Sequence, residues 1–342
     1  MNRHHKNIQI SLSILLIGAI LWIGYRYPYT NLSKQNNKDC HLPIERLEQA
    51  LFNAKEQQAI TQLLLKHQLF SKEFLNVKEA TSEQGYQQTA ASLFEMGQDP
   101  TIRALYEESS RQFPEDTTII HPLQKAFYRL KKYYPTIRLP KVYTMITGMS
   151  HDLYVSNRLI VIGLDCFLGQ NPSFSMHHLP KYIADTYDPA SIASKIMLLY
   201  TQQFNATDPS DKSLLAEMLY YGKSFFLVKM LLPDIPDHLL LGYTEEQLRE
   251  VNKYKTIIWD HFIENELLYN TNDFVKNNYI LPRPSTSEIG PSCPGSIGKW
   301  LGWEIIKSYM QKNKSKKVND LMEAIDNPTL LRHACYQPKD ER

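Results

Sequence analysis

Hydrophobic and polar positions follow a helical period over most of this chain. From Pro43, the residues Ile44, Leu47, Leu51 and Ala54, then Ile60, Leu63 and Leu64, recur at three- and four-residue spacings, which predicts short amphipathic helices stacked as a layer. Further helices are predicted around Thr89–Met96, Asp99–Arg111 and Leu123–Tyr134, each punctuated by Gly or Pro. The period then changes. Lys141–Thr147 (KVYTMIT) and Leu159–Leu164 (LIVIGL) are rich in β-branched and aromatic residues, and Leu153–Ser156 (LYVS) is parted from the second run only by Asn157 and Arg158. That pattern predicts a hairpin within a small, mostly antiparallel sheet. Helical patterning returns in Ala190–Phe204, Lys212–Leu232, Thr244–Tyr269 and Gly298–Lys312, between Pro-containing loops. The expected class is α+β with helix dominant.

One segment breaks the amphipathic rule. Ile8–Tyr25 (IQISLSILLIGAILWIGY) is apolar all round, follows Arg3, His4, His5 and Lys6, and is long enough for one membrane-spanning helix. A basic flank and a position at the extreme end favour a signal peptide or an uncleaved signal anchor over a core helix. The domain plan expected is therefore a signal segment over residues 1–26, a polar tether over 27–42, a helical layer over 43–115 and the main domain over 116–340. The body is expected outside the cytoplasm, held at the membrane through residues 8–25.

Composition removes several function classes. The 38 basic and 36 acidic residues nearly cancel, so there is no single-sign field to gather polyanions, and nucleic acid is not an expected partner. Cys40, Cys166, Cys293 and Cys335 are widely spaced and form no C-x-x-C pair, which argues against a zinc ribbon or a thioredoxin-like redox site. Cys166, in an apolar run, reads as a free buried thiol. No phosphate-cradling glycine loop and no G-x-S-x-G elbow occurs. No cofactor is expected, and nothing in the sequence sets an oligomeric state.

The histidines are mostly single, and His177 and His178, being adjacent, point in different directions in a helix or a strand. Ser213–Lys223 (SLLAEMLYYGK) carries more information. A zinc helix of the H-E-x-x-H type sets two imidazoles one turn apart, with a glutamate beside the first as general base. Here those positions read Ala216, Glu217 and Tyr220: the base is kept and both ligands are lost. Ile258–Tyr269 (IWDHFIENELLY) looks like the downstream helix that supplies a third, carboxylate ligand in such enzymes, which would fall at Glu264. Three glycines, Gly295, Gly298 and Gly302, then precede or open an aromatic helix, where they would let backbones approach closely.

From about His121 to Pro338 the chain resembles the GldB-type gliding-motility lipoproteins, on the strength of LPKVYTMITG, IVIGLDCFLG, EMLYYGK, IWDHFIENELLY and PGSIGKWLGWEIIKSYMQKN. That family is similar in turn to predicted zinc-dependent proteases, so the resemblance implies a degenerate zincin-like domain over 116–340. It also implies a cell-envelope location and partners among envelope or gliding-machinery proteins. The chain departs from the family pattern after the apolar run, where Tyr25, Arg26 and Tyr27 stand and no cysteine does; this argues against a lipid anchor but not against membrane attachment.

Two readings of function follow. In the first, the chain is a non-catalytic scaffold or interaction component with no metal site, and Tyr220, Tyr221, Gly298, Trp300 and Trp303 are candidates for a reused cleft or docking stripe. In the second, it is an envelope hydrolase in which Glu217 and Glu264 act as acid and base, or His261 joins Glu264 three residues on along one helical face.

Overall fold

The chain divides into two units, Met1–Cys40 and His41–Arg342. A computed structural model describes residues 42–77, 82–114, 117–169, 174, 176 and 179–340, all within the second. The apolar segment 8–25, the tether as far as residue 41, Cys40 and the His177–His178 pair lie outside the described residues. Among the described residues no helix is long and apolar enough to cross a membrane.

Among the described residues helices dominate and one four-stranded sheet is present, the α+β class expected. The strands are β1 (Ile44–Arg46), β2 (Lys141–Met145), β3 (Leu153–Val155) and β4 (Leu159–Gly163), in the order β1-β2-β4-β3. The predicted hairpin is there, with β3 antiparallel to β4. The rest of the sheet differs from the mostly antiparallel expectation: β1 pairs with β2, and β2 with β4, in parallel register. Parallel strands need a long crossover. Between β2 and β4 the loop and β3 supply it, and between β1 and β2 the whole run of helices from residue 47 to 133 does.

Ile44, read as the start of a helical stripe, belongs instead to β1. Three residues are too few to show a period, and the pairing partner lies about a hundred residues away in sequence. A buried polar clasp seals the joint. Glu48 is 1% exposed; it accepts from Arg46 Nε at 2.6 Å and from Thr144 Oγ1 at 2.6 Å, while Arg46 also donates to the Phe113 carbonyl at 2.8 Å. A buried carboxylate is tolerable only when paired and hydrogen-bonded in this way.

The longer helices follow their sequence signals. Ser82–Gln98 (α1) and Pro100–Gln112 (α2) meet at Asp99, whose side chain caps α2 by accepting from Thr101 N and Ile102 N, with Pro100 at the first helical position. Thr117–Tyr133 (α3) and Ile192–Tyr200 (α4) pack on each other, and α4 also packs against β3. Leu214–Leu231 (α5) begins at Ser213, whose hydroxyl accepts from Ala216 N.

The segment predicted as one helix over Thr244–Tyr269 is two. Glu245–Lys253 (α6), opened by a Thr244–Gln247 capping box, stops at Tyr254, and Lys255–Glu264 (α7) follows. After Glu264 the chain leaves the helix, with Glu266 in the left-handed region at φ 52°. The physical reason is in the core: Leu267 and Leu268 turn inward, and the carbonyls of Leu268 and Asn270 accept from Leu215 N and Leu214 N. They thereby satisfy donors that every helix start leaves orphaned.

Asp273–Ile280 (α8) and Ile297–Lys312 (α9) complete the core, and α9 packs along α5 as the most extensive helix pair among the described residues. Here glycine is required. A Cβ built on Gly302 would lie 1.9 Å from the Met218 carbonyl oxygen, and one on Gly222 would lie 2.4 Å from the Gly302 carbonyl oxygen. Gly295 likewise abuts the Arg283 backbone. The close approach read from the glycine spacing is thus real, with Gly222 on α5 as its unforeseen counterpart.

Candidate functional site

The α5–α9 seam collects most of the residues singled out by sequence. Glu217 stands in the first turn of α5, half-buried, and accepts from Lys276 Nζ of α8 at 2.6 Å. Lys276 is almost wholly enclosed; besides Glu217 it meets Asp273 at 2.9 Å and the Lys212 carbonyl at 3.0 Å. Burial by itself would depress that lysine, but the Glu217 and Asp273 carboxylates outweigh it and hold its pKa above the ordinary value. Glu217 therefore staples α8 to the start of α5.

Glu264 is elsewhere. It is the last residue of α7 and is exposed. It shares no hydrogen bond with Glu217. His261, one turn earlier, spends Nε2 on the Tyr279 hydroxyl at 3.0 Å, and its other ring nitrogen faces the Asn265 amide at 3.4 Å. Burial lowers its pKa, with Glu288 and then Glu264 partly opposing. The structure thus brings Glu217 to Lys276 and His261 to Tyr279, and it does not bring the two glutamates together.

A zinc site needs at least three converging nitrogen, sulfur or carboxylate donors. Among the described residues no group of three or more His, Cys, Asp or Glu is placed to hold a metal ion, and the helix positions beside Glu217 are Ala216 and Tyr220. The residues described do not fit a zinc ion.

The aromatic candidates divide by burial. Trp300 and Trp303 are 1% and 2% exposed; both belong to the core, with Trp303 against Phe225 of α5. They form no exposed stripe. Gly298 is buried where a side chain would press on the Tyr279 carbonyl. Tyr220 and Tyr221 are half-buried and stand edge to face at 5.4 Å. The Tyr221 phenol is raised by burial and by Glu217 one turn before it. Over the Tyr221 ring, 4.4 Å from its centroid, lies Lys299 Nζ. Burial pushes Lys299 down to about 8. The next α5 residue after Gly222, Lys223, is 2% exposed and is also brought to about 8 by burial; it donates to the Ala206 and Ala324 carbonyls at 2.7 and 2.8 Å. These lysines escaped sequence reasoning, because a single Lys in a helical pattern gives no sign of which way it faces.

A second polar group lies at the carboxyl ends of β2 and β4. Asp165 is fully enclosed and accepts from Thr147 N at 3.0 Å and Met149 N at 2.6 Å. It thereby clamps a turn whose Gly148 and Met149 are both left-handed. Burial raises its pKa against those bonds. Nearby, the Tyr187 hydroxyl donates to Asp152 at 2.8 Å, and Lys195 lies over the Tyr187 ring while bonding Thr186 Oγ1 at 3.2 Å. The available signal was Asp165 itself, an acid directly after the apolar run LIVIGL. Among the described residues Cys166, Cys293 and Cys335 are free thiols, and burial holds Cys166 and Cys293 up at about 12, far from reactive.

No curated protein and no solved structure matches the chain. A family model described as gliding motility protein GldB matches residues 29–338, which takes in every element described above. By that match the chain belongs to the family of the gliding motility protein GldB.

Proposed function

We propose that this protein is a non-catalytic component of the gliding machinery, tethered to the membrane through residues 8–25 with its body exported, and that it acts by holding partner proteins. The degenerate zincin-like ancestry implied by the family's resemblance to predicted zinc-dependent proteases, with Ala216, Glu217 and Tyr220 at the motif positions, belongs to the same reading. The observation that carries it is the state of Glu217. Lys276 holds Oε1 of this carboxylate at 2.6 Å as an ion-pair partner, and among the described residues no second carboxylate or imidazole is bonded to it to complete an acid–base pair. Glu264, exposed at a helix end, and His261, bonded to Tyr279, supply no alternative pairing for hydrolysis.

The test is genetic and chemical. Glu217→Gln and Glu264→Gln, introduced singly and together, are expected to leave surface motility of the host unchanged at equal protein level. The purified full chain is expected to carry zinc far below one equivalent by elemental analysis. Loss of motility in either glutamine variant with normal folding, or stoichiometric zinc, would sink the reading.

A further inference from the structure

Lys299 sits where a lysine is disfavoured twice over. It lies in the first turn of the sixteen-residue α9, where the helix dipole already places positive charge. Its side chain is half-buried, which costs hydration of the ammonium. No anion compensates either cost: among the described residues its Nζ meets the face of Tyr221 and has no hydrogen bond or ion pair.

Most other enclosed lysines among the described residues have an anion or carbonyls, and Lys195, also over a tyrosine ring, has at least the Thr186 hydroxyl at 3.2 Å. Lys276 has Glu217 and Asp273, Lys255 has Glu304 at 3.5 Å, and Lys223 has two backbone carbonyls. Glu217 is placed one turn before Tyr221 on the facing helix but is taken by Lys276. The shift of Lys299 to about 8 comes from burial alone, as expected of an ammonium with no counter-charge at hand. At neutral pH the group is still mainly charged, so it offers a partly desolvated cation on an aromatic platform.

We propose that Lys299 and Tyr221 form the seat for a carboxylate side chain of a partner protein, an Asp or Glu laid against the α5–α9 seam. One ammonium matches one carboxylate, and a partly desolvated ion pair is stronger than an exposed one. Tyr221 adds a flat apolar wall that shields the pair from water. The seat rests on the reading of the chain as a partner-holding protein and names the chemistry by which it holds.

The experiment uses the full chain in detergent micelles, its lysines labelled by ¹³C reductive dimethylation, which keeps their charge. An acetylated tetraglutamate amide is titrated and each methyl resonance followed. Saturable movement of Lys299, little movement of the exposed Lys181 and Lys314, and at least tenfold weaker binding by Lys299→Met with unchanged melting temperature are expected. Lys299→Arg should retain binding within a few-fold. The proposal is overturned if the peptide moves only exposed lysines, if Lys299→Met binds as the parent does, or if inorganic phosphate or the tetraglutamine peptide moves Lys299 as strongly. Failure here with Glu217→Gln still motile would discard the seat and keep the broader reading; loss of motility in Glu217→Gln would discard the reading itself.

Discussion

Replacing Gly302 by alanine isolates the close approach on which the core depends. A helix interior normally gains from such a change, about 1 kcal/mol, because alanine has less backbone entropy to lose. At Gly302 the new methyl would sit 1.9 Å from the Met218 carbonyl oxygen, against 3.4 Å for ordinary contact, so α9 must withdraw from α5 by about 1.5 Å. The obstacle is backbone, which has no rotamer to yield. A gap of that size along the seam forfeits a quarter to a half or more of the dispersion contacts made there by Trp300, Leu301, Ile305 and Ile306. Overpacking of a close-fitting core costs roughly 1–3 kcal/mol and occasionally more. With two helices displaced together the upper part of that range applies, about 2–3 kcal/mol, and about 1–2 kcal/mol of net destabilisation is expected after the propensity gain. Gly97, in α1, has nothing within 4 Å of a built Cβ. Gly97→Ala serves as the control and is expected to stabilise by about 0.5–1 kcal/mol. Urea unfolding followed by far-ultraviolet circular dichroism measures both. If Gly302→Ala raised the midpoint as Gly97→Ala does, the helices would not be held at backbone contact and the account of the core would be wrong.

Further predictions concern charge, the aromatic core and the glutamate staple. Lys223 has its folded pKa lowered to about 8 from 10.5, so between those limits the unfolded chain binds a proton that the folded one releases. Stability contributed by this group is therefore absent below pH 8, rises with pH at up to about 1.4 kcal/mol per unit, and is complete above pH 10.5. Thermal unfolding of Lys223→Met against the parent at pH 7.5 and 9.5 should show a smaller upward pH response in the variant; an identical response would remove Lys223 as its source. Trp303→Ala should cost about 3–5 kcal/mol in chemical denaturation, since the ring is enclosed against Phe225; unchanged stability with lost partner binding would point to docking instead. Glu217→Gln should cost no more than about 1 kcal/mol by the same measurement, because this carboxylate is 37% exposed and Lys276 keeps Asp273.

The longer helices and the class were legible because they are written locally. Asp99 with Pro100, Ser213 and the Thr244–Gln247 box act within one turn, and amphipathic spacing repeats along the element that it describes. The β3–β4 hairpin was legible for the same reason. What was misread involved distant partners. β1 exists because β2, almost a hundred residues on, accepts it and because Glu48 and Thr144 close over the joint. Glu264 lost its expected helical surroundings because the apolar pull on Leu267 and Leu268 ended the helix there.

By itself the sequence determined the family, the helix-dominant class and the presence of an apolar run over residues 8–25, since each depends on residue identity and short-range order. Only the tertiary structure decided that Glu217 is spent on Lys276, that Trp300 and Trp303 are interior, and that Lys299 meets the Tyr221 ring and, among the described residues, no counter-charge. Those are facts about which groups share a desolvated space. Electrostatic and packing energies depend on distance and burial, and neither is encoded in the spacing of residues along a chain.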